Sequence, residues 1–172
     1  MATKTTALPH PDGRAQTVVA CAVITVSDTR TTDTDKSGML MQSLLSAAGH
    51  QVAHYQIVKD EPDQIKVLIQ DLAAHLDIQA ILLSGGTGIA PRDTTYDAVA
   101  GLLEKELPGF GEIFRQLSYA EIGSRAIASR AVAGVYTNTL IFSLPGSSKA
   151  VALAMNALIL PELVHLTTLI QL

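Results

Sequence analysis

The sequence predicts an α/β protein of three layers, an α/β/α sandwich in which helices cover both faces of a mostly parallel central sheet. Short apolar runs alternate along the chain with segments whose apolar residues recur at helical spacing. Strands that alternate with helices of about 10–15 residues are typical of parallel β-α-β units. The first apolar run, residues 18–26, is continuously apolar and β-branched at its end. That composition is typical of a strand buried on both faces, as in a parallel sheet.

Strands and helices follow one another in a regular order. Strands are predicted at residues 18–26, 52–58, 80–83 and 140–144. The first helix has apolar residues at 40, 41, 44, 45 and 48 with Gly49 as its stop signal, and the second has Pro62 in its first turn. A third helix is predicted around residues 98–103 and a short fourth one around 110–117.

The last part of the chain is less regular. Residues 126–136 fit either a helix or a strand, and the strand at 140–144 is followed by a helix. Pro161 is predicted to end that helix and to begin a last one, because proline lacks the backbone N–H that a helix interior needs.

Length and composition predict one globular domain. The chain has 172 residues, of which 48% are hydrophobic and 16% charged. There is enough apolar surface for a core, so global disorder is excluded. Residues 1–16 show no apolar periodicity and are predicted to be a mobile N-terminal arm, with residues 17–172 forming the single domain.

Charge and cysteine content exclude several classes of protein. The net charge of −4, without a basic cluster, argues against binding to nucleic acid. Cys21 is the only cysteine and lies in an apolar strand, where an inert core residue is expected. No signal peptide is visible and no run approaches the roughly 18 apolar residues of a membrane span. We expect a soluble, cytoplasmic protein without a membrane partner.

Polar residues gather where the predicted strands end. In open parallel sheets, ligands bind beyond the carboxyl ends of the strands, so these segments should share one rim. Three carboxylates lie there, at Asp28, Asp60 and Asp93. The candidate binding residues at the same strand ends are Ser27, Asp28, Gly85, Gly86, Thr87, Gly88, Pro145, Gly146, Ser147 and Ser148.

This mixture of glycines and carboxylates indicates a phosphorylated ligand accompanied by a cation. Glycines allow backbone N–H groups to approach an anion closely. Carboxylates beside a phosphate repel it unless a cation intervenes, and Mg²⁺ is held by one or two carboxylates plus phosphate oxygens. The rim therefore predicts a phosphorylated small molecule with Mg²⁺.

Helix capping offers a purely structural explanation for some of these residues. Asp60 could cap the second helix, and Thr94 with Asp97 has the spacing of a capping box. Ser147 and Ser148 are also good N-caps, so their hydroxyls need no ligand. Three glycines within residues 85–88 exceed what an ordinary turn requires.

Two nucleotide-binding motifs are absent or incomplete. No phosphate-binding G-x-x-x-x-G-K-[ST] loop occurs. The run from Gly86 nearly matches the dinucleotide-binding fingerprint, but Pro91 replaces its third glycine. An oxidoreductase that binds a dinucleotide is therefore the least favoured class.

Four segments in this order resemble the MoaB/Mog family of molybdenum-cofactor biosynthesis proteins. They are Ile24-Thr-Val-Ser-Asp28, Ser84-Gly-Gly-Thr-Gly88 with Arg92-Asp93, Gly109-Phe-Gly-Glu112 and Leu144-Pro-Gly-Ser147. The likeness spans residues 18–160, and Ser129-Arg-Ala-Val-Ala-Gly134 looks more like the MoaB branch. The chain departs from the family at Tyr96, where proline is usual.

The resemblance implies a function and a set of site residues. Active members of the family transfer AMP from Mg·ATP to the terminal phosphate of molybdopterin and release pyrophosphate. Two acidic positions important for that activity fall on Asp60 and Asp93, which would hold Mg²⁺. The glycine loop and the turn at residues 145–147 correspond to the pocket for the pterin phosphate. The alternative is a carrier or assembly protein that binds molybdopterin without catalysis.

The resemblance also implies assembly as a homotrimer or a hexamer, and other proteins of the pathway are possible partners. The sequence adds a reason of its own, since Phe110, Ile113, Phe114 and residues 163–170 look more apolar than one helix face of a monomer requires. A subunit interface would cover such a surface.

Overall fold

A computed structural model describes residues 17–171, so the predicted arm, residues 1–16, lies outside the described residues. The fold is the predicted α/β sandwich. Its six strands are β1 (Ala20–Val26), β2 (Gln51–Val58), β3 (Ala80–Ser84), β4 (Lys105–Glu106), β5 (Val132–Tyr136) and β6 (Thr139–Leu144). Its helices are α1 (Lys36–Ala47), α2 (Pro62–Ala73), α3 (Thr95–Ala100), α4 (Pro108–Ile122), α5 (Ser148–Ala154) and α6 (Leu160–Leu169).

The sheet brings the carboxyl ends of four strands to one edge. Its strand order is β2-β1-β3-β6-β5-β4. The pairs β1–β2, β1–β3 and β3–β6 are parallel, whereas β5 pairs antiparallel with both β6 and β4. The polar segments after β1, β2, β3 and β6 therefore lie on the same rim, as predicted.

Alternate residues of the central strands point to opposite layers. Val23 and Leu82 pack into one core beneath α1, α4, α5 and α6. Their neighbours Ile24 and Leu83 pack into a second core beneath α2 and α3. The period of two along each strand and helices on both faces explain why the strands are continuously apolar. Cys21 is fully buried, and burial raises the pKa of its thiol to about 12, so it is the inert core residue that we expected.

The ambiguous segment 126–136 contains both kinds of structure. A 3-10 helix occupies Gly123–Ala128 and continues from α4, and β5 begins at Val132. The third helix lies earlier in the chain than predicted, since α3 spans Thr95–Ala100 and ends before residues 102 and 103.

The prediction that Pro161 separates two helices is wrong. Residues 148–169 form one helical segment, with a π-helical turn at Met155–Ile159 between α5 and α6. Pro161 follows that wider turn and lies in the first turn of α6. A π turn changes the register of the backbone hydrogen bonds, so the helix tolerates the missing donor.

This C-terminal segment also corrects two expectations about apolar surface. By length and composition it could cross a membrane, contrary to our expectation, being 22 residues long with a mean hydropathy of 1.6. Its inner face, including Ile159 and Leu163, is fully buried in the first core. Phe114 is buried too, and the ring of Phe110 packs edge-on against Phe142 at 5.2 Å between centroids. These buried residues belong to the core of a single chain. On α4, Ile113 is exposed, in contrast to Phe114.

The buried carboxylate of Asp35 links the start of α1 to β2 through hydrogen bonds. Asp35 is fully buried and caps α1 by accepting a hydrogen bond from the Gly38 N–H at 3.0 Å. Its other oxygen accepts one from the Tyr55 hydroxyl at 2.7 Å, and Arg30 lies 3.5 Å away. Burial alone would raise the pKa of Asp35, but the hydrogen bonds and the guanidinium outweigh it and hold the pKa below its ordinary value.

We expect Asp35→Asn to lower the free energy of unfolding at pH 7 by roughly 1–3 kcal/mol, because charged acceptors make the stronger hydrogen bonds. A carboxylate with a depressed folded-state pKa contributes stability above its unfolded pKa and loses it as the pH falls through the folded one. The difference between the two proteins should therefore shrink below about pH 3.8. Urea unfolding at pH 7 and pH 3 measures it, with the exposed Asp33→Asn as control; a deficit unchanged at pH 3 would contradict the argument.

Candidate functional site

A cleft of about 390 Å³ opens at the carboxyl edge of the sheet, above β3 and β6. One wall is the glycine loop that follows β3, defined here as residues 85–93, and another is the turn at residues 145–147. Eight of the predicted residues line the cleft: Gly85, Gly86, Thr87, Gly88, Asp93, Pro145, Gly146 and Ser147. Helix α4 and the 3-10 helix supply the third wall.

The glycines are required by close approach and by backbone conformation. Gly85 and Gly86 have φ angles of +105° and +64°, in the region that residues with a side chain rarely adopt. A side chain on Gly85 would collide with the Val26 carbonyl, and one on Gly86 would collide with Asp60 and Thr95. Gly146 packs directly against Gly85. The two turns can therefore meet only because both lack side chains.

Asp60 is buried behind the glycine loop and holds the start of α3. Its Oδ1 accepts hydrogen bonds from the Thr94 hydroxyl at 2.7 Å, the Thr94 N–H at 3.2 Å and the Thr95 hydroxyl at 3.3 Å. Asp60 thus does not cap α2, whose N-cap is Glu61 without a side-chain hydrogen bond. Its carboxylate instead reaches across to α3.

The capping box predicted at Thr94 and Asp97 is not formed. The Thr94 side chain donates to Asp60 instead of capping its own helix. Asp97 is largely exposed and pairs with Arg130 at 3.1 Å. Ser147, in contrast, is the N-cap of α5, since its hydroxyl accepts a hydrogen bond from the Ala150 N–H at 3.2 Å.

Asp93 is the last residue of the glycine loop. Its Oδ2 accepts a hydrogen bond from the Ala90 N–H at 3.1 Å, which closes the loop on itself. A side chain on Gly88 would collide with this carboxylate, just as one on Gly86 would collide with Asp60. The two predicted acidic residues therefore lie against the same short loop.

This donor set suits Mg²⁺ better than a metal that needs a complete protein cage. Among residues 17–171, no cluster of three or more histidine, cysteine or acidic side chains could hold a metal ion. Mg²⁺ is usually held by one or two carboxylates together with substrate phosphates. Two carboxylates beside a glycine loop fit that mode of binding.

Asp28, Ser27 and Ser148 do not line the cleft. Asp28 pairs with Arg92, whose Nε lies 2.9 Å from the carboxylate, and Arg92 also reaches Glu61 at 2.8 Å. The hydrogen bond from Arg92 is the main reason that the pKa of Asp28 lies below its ordinary value. The Ser27 hydroxyl accepts from the Arg30 N–H at 3.1 Å. Asp60 is also absent from the lining, since Gly86 stands in front of it.

Several residues of the site were not found from the sequence. Ser118, Ile122, Arg125 and Ser129 line the cleft from α4 and the segment that follows it. The Ser129 Oγ is buried and has no hydrogen-bond partner in the described part of the chain. Sequence periodicity gave no signal for these residues because the segment reads neither as a clear helix nor as a clear strand.

Arg30 was also missed. Its guanidinium donates to the Gly146 carbonyl and to the Ser37 hydroxyl, both at 3.1 Å. Ser37 in turn donates to the same carbonyl at 2.6 Å. Arg30 and Ser37 therefore fix the turn that forms one wall of the cleft.

Fold and site together define an α/β protein that binds a small molecule at the carboxyl edge of a parallel sheet. The glycine loop is not that of a dinucleotide-binding fold, since α3 begins only at Thr95, well after the glycines. A family model described as "Probable molybdopterin binding domain" matches residues 22–165. The chain belongs to this family of molybdenum-cofactor biosynthesis proteins.

Individual relatives agree with this assignment. Molybdenum cofactor biosynthesis protein B of Bacillus subtilis (strain 168) is 62% identical over 154 residues, which cover 88% of this chain and 89% of the relative. That of Halalkalibacterium halodurans is 60% identical over 152 residues, with coverage of 88% and 89%. A crystal structure of a molybdenum cofactor biosynthesis protein B superposes with a TM-score of 0.90 at 50% identity, covering 92% and 99% of the two chains. The expected likeness to the MoaB branch is confirmed.

Proposed function

We propose that this protein is a cytoplasmic molybdopterin adenylyltransferase. A terminal phosphate oxygen of molybdopterin attacks the α-phosphorus of ATP, and the bond from that phosphorus to pyrophosphate breaks. The observation that carries the proposal is the placement of two carboxylates against neighbouring glycines: Asp93 lines the cleft beside Gly88, and Asp60 lies behind Gly86. Phosphoryl-type transfer requires positioning and charge stabilisation and little covalent chemistry, so a small set of residues suffices.

Each part of the site has a role in this reaction. The backbone N–H groups of residues 86–88 and the Ser147 hydroxyl would bind the terminal phosphate of the pterin, whereas the Gly85 N–H donates to the Leu144 carbonyl. Asp60 and Asp93 would hold Mg²⁺, which when bound offsets the negative charge of the ATP phosphates. The apolar and small residues on α4 would contact the rest of the ligand and exclude water.

The alternative is a carrier that binds molybdopterin without transferring a nucleotide. One observation favours it: the three hydrogen bonds that Asp60 accepts from Thr94 and Thr95 account for that buried residue as part of the fold. The cleft would then bind the pterin phosphate in the same way, and Mg·ATP would not be used.

We also propose that the chain assembles as a homotrimer or a hexamer. Core packing accounts for Phe114 and Leu163, but several large apolar side chains near the cleft stay exposed. Ile122 and Ile127 are 52% and 84% exposed, and Ile113 on α4 is 47% exposed. A second copy of the chain would cover such side chains.

One assay and two supporting measurements separate these proposals. Purified protein is incubated with molybdopterin and Mg·ATP, and pyrophosphate is measured, with omission of each component as control. Pyrophosphate that depends on all three is the expected result. Calorimetry that shows molybdopterin binding without release of pyrophosphate would assign the carrier role, and binding of NAD alone would refute both. Light scattering on the same sample gives the number of chains, and a monomer would refute the assembly.

A further inference from the structure

Arg130 does not line the cleft, but its side chain holds the glycine loop through hydrogen bonds to backbone carbonyls. Its Nε donates to the carbonyls of Thr87 at 3.2 Å and Gly88 at 3.0 Å. Its Nη2 donates to the Gly88 carbonyl as well and to the Asp93 carbonyl at 3.3 Å. One guanidinium therefore fixes three carbonyl groups of a loop that lies more than 35 residues away in sequence. The planar fork of arginine suits this task, whereas lysine offers only a point charge.

The peptide bond between Asp93 and Thr94 links Arg130 to Asp60. Its carbonyl accepts the hydrogen bond from Arg130, and its N–H donates to Asp60 Oδ1 at 3.2 Å. No cis peptide bond occurs in the described chain, so the two groups of this rigid plane point in opposite directions. A shift of Arg130 therefore moves the donor that orients Asp60, and it moves the backbone that carries Asp93.

The ring of Tyr96 supports the Arg130 guanidinium, and Asp97 adds only a weak, exposed ion pair. The Arg130 guanidinium carbon lies 4.8 Å from the centroid of the Tyr96 ring, and Asp97 pairs with its Nη1 at 3.1 Å. The ring sits in a partly buried position, where cation–π contacts are strongest, whereas the ion pair involves an exposed carboxylate and is weak. Tyr96 occupies the position where the resemblance leads us to expect proline, and it lies under Arg130, not in the cleft.

We propose that Arg130, supported by the ring of Tyr96, is the positioning residue that sets the carboxylates of Asp60 and Asp93 relative to the glycine loop. The role rests on the proposed adenylylation, because those two carboxylates are its Mg²⁺-binding groups. Arg130 is not among the residues that line the cleft, and it acts through the peptide units at residues 87–88 and 93–94.

Four variants and one control variant test the proposal. Arg130→Ala removes all the hydrogen bonds, and Arg130→Lys keeps the charge without the fork. Tyr96→Leu removes the aromatic face, while Tyr96→Phe preserves it. Asp97→Asn is the matched control that loses only the ion pair. For each variant we measure kcat, the Mg²⁺ concentration at half-maximal rate, the calorimetric affinity for molybdopterin, and amide hydrogen exchange at residues 86–94.

We expect Arg130→Ala to lower kcat by roughly 10–100-fold and to raise the half-maximal Mg²⁺ concentration, because small misplacements of catalytic groups have effects of that size. Arg130→Lys should be nearly as impaired, and added guanidinium should restore part of the activity of Arg130→Ala. Tyr96→Leu should lose about threefold to tenfold. Tyr96→Phe and Asp97→Asn should stay within about twofold of the natural chain.

Amide hydrogen exchange distinguishes a failure of the positioning role from a failure of the proposed adenylylation. If the natural chain releases no pyrophosphate, the adenylylation is refuted, and faster exchange of the Thr94 amide in Arg130→Ala than in Asp97→Asn still supports the positioning role. Unchanged exchange in Arg130→Ala refutes the positioning role. Unchanged kcat and unchanged Mg²⁺ dependence in that variant refute it too.

Discussion

Asp60→Asn and Asp93→Asn are each expected to reduce pyrophosphate release by at least about 100-fold while leaving the fold and most of the pterin affinity intact. Losing one group that stabilises charge in a catalytic site has effects of about 100- to 1,000-fold. Asparagine has the shape of aspartate, and its carbonyl oxygen can still accept the hydrogen bonds from Thr94 and Thr95. The substitution therefore removes the negative charge and spares the packing behind the glycine loop.

The measurement is initial pyrophosphate release over a range of Mg²⁺ concentrations, with molybdopterin affinity determined by calorimetry. Asp63→Asn is the matched control, since Asp63 is an exposed carboxylate in the first turn of α2. If both variants turn over as fast as the natural chain, these carboxylates do not serve catalysis. If the natural chain is active and the variants also lose pterin binding, the residues shape the pocket itself and do not act mainly through Mg²⁺.

Gly85→Ala is expected to produce the largest loss of stability among single substitutions at this site, roughly 2–5 kcal/mol in the free energy of unfolding. Two effects add. The φ angle of +105° is one that alanine rarely adopts, and the new methyl group would collide with the backbone carbonyl of Val26. That carbonyl belongs to the central strand β1 and cannot move without disturbing the sheet.

Urea unfolding measures this loss, and Gly109→Ala is the matched control. Gly109 lies in the first turn of α4, has nothing within 4 Å of the position of a side chain, and is not at positive φ. Alanine there should be neutral or slightly stabilising, because it has the higher helix propensity. A Gly85→Ala protein as stable as the Gly109→Ala protein would show that the loop adopts another conformation in solution.

The parts of the site that the sequence predicts are those whose residues are close together in the chain. The glycines at residues 85–88 and the carboxylates that follow strand ends stand out in a linear reading, and a parallel sheet brings them to one edge. Gly85 to Gly88, Asp93 and residues 145–147 all line the cleft as a result. Their chemical roles remain predictions that the two carboxylate variants test.

The sequence did not reveal hydrogen-bond partners that are distant in the chain. Asp60 could cap the helix that follows it in sequence, but it reaches the start of α3, 34 residues away. Asp28 pairs with Arg92 across 64 residues, a partner that the sequence did not indicate, and its proposed role in binding substrate stays a prediction. Local spacing favours the nearest capping partner, and it carries no information on competing donors from other loops.

The sequence by itself determined the class of fold, the order of the four parallel strands and of the helices, and the rim on which the site lies, because hydrophobic periodicity and glycine content are local properties. The antiparallel strands β4 and β5 were not among them. Only the tertiary structure decided that Arg130 holds the glycine loop, that Tyr96 supports that arginine and that Pro161 stays within a helical segment. Those outcomes depend on packing between segments far apart in the chain, where the nearest available donor, acceptor or ring is fixed only once the layers have formed.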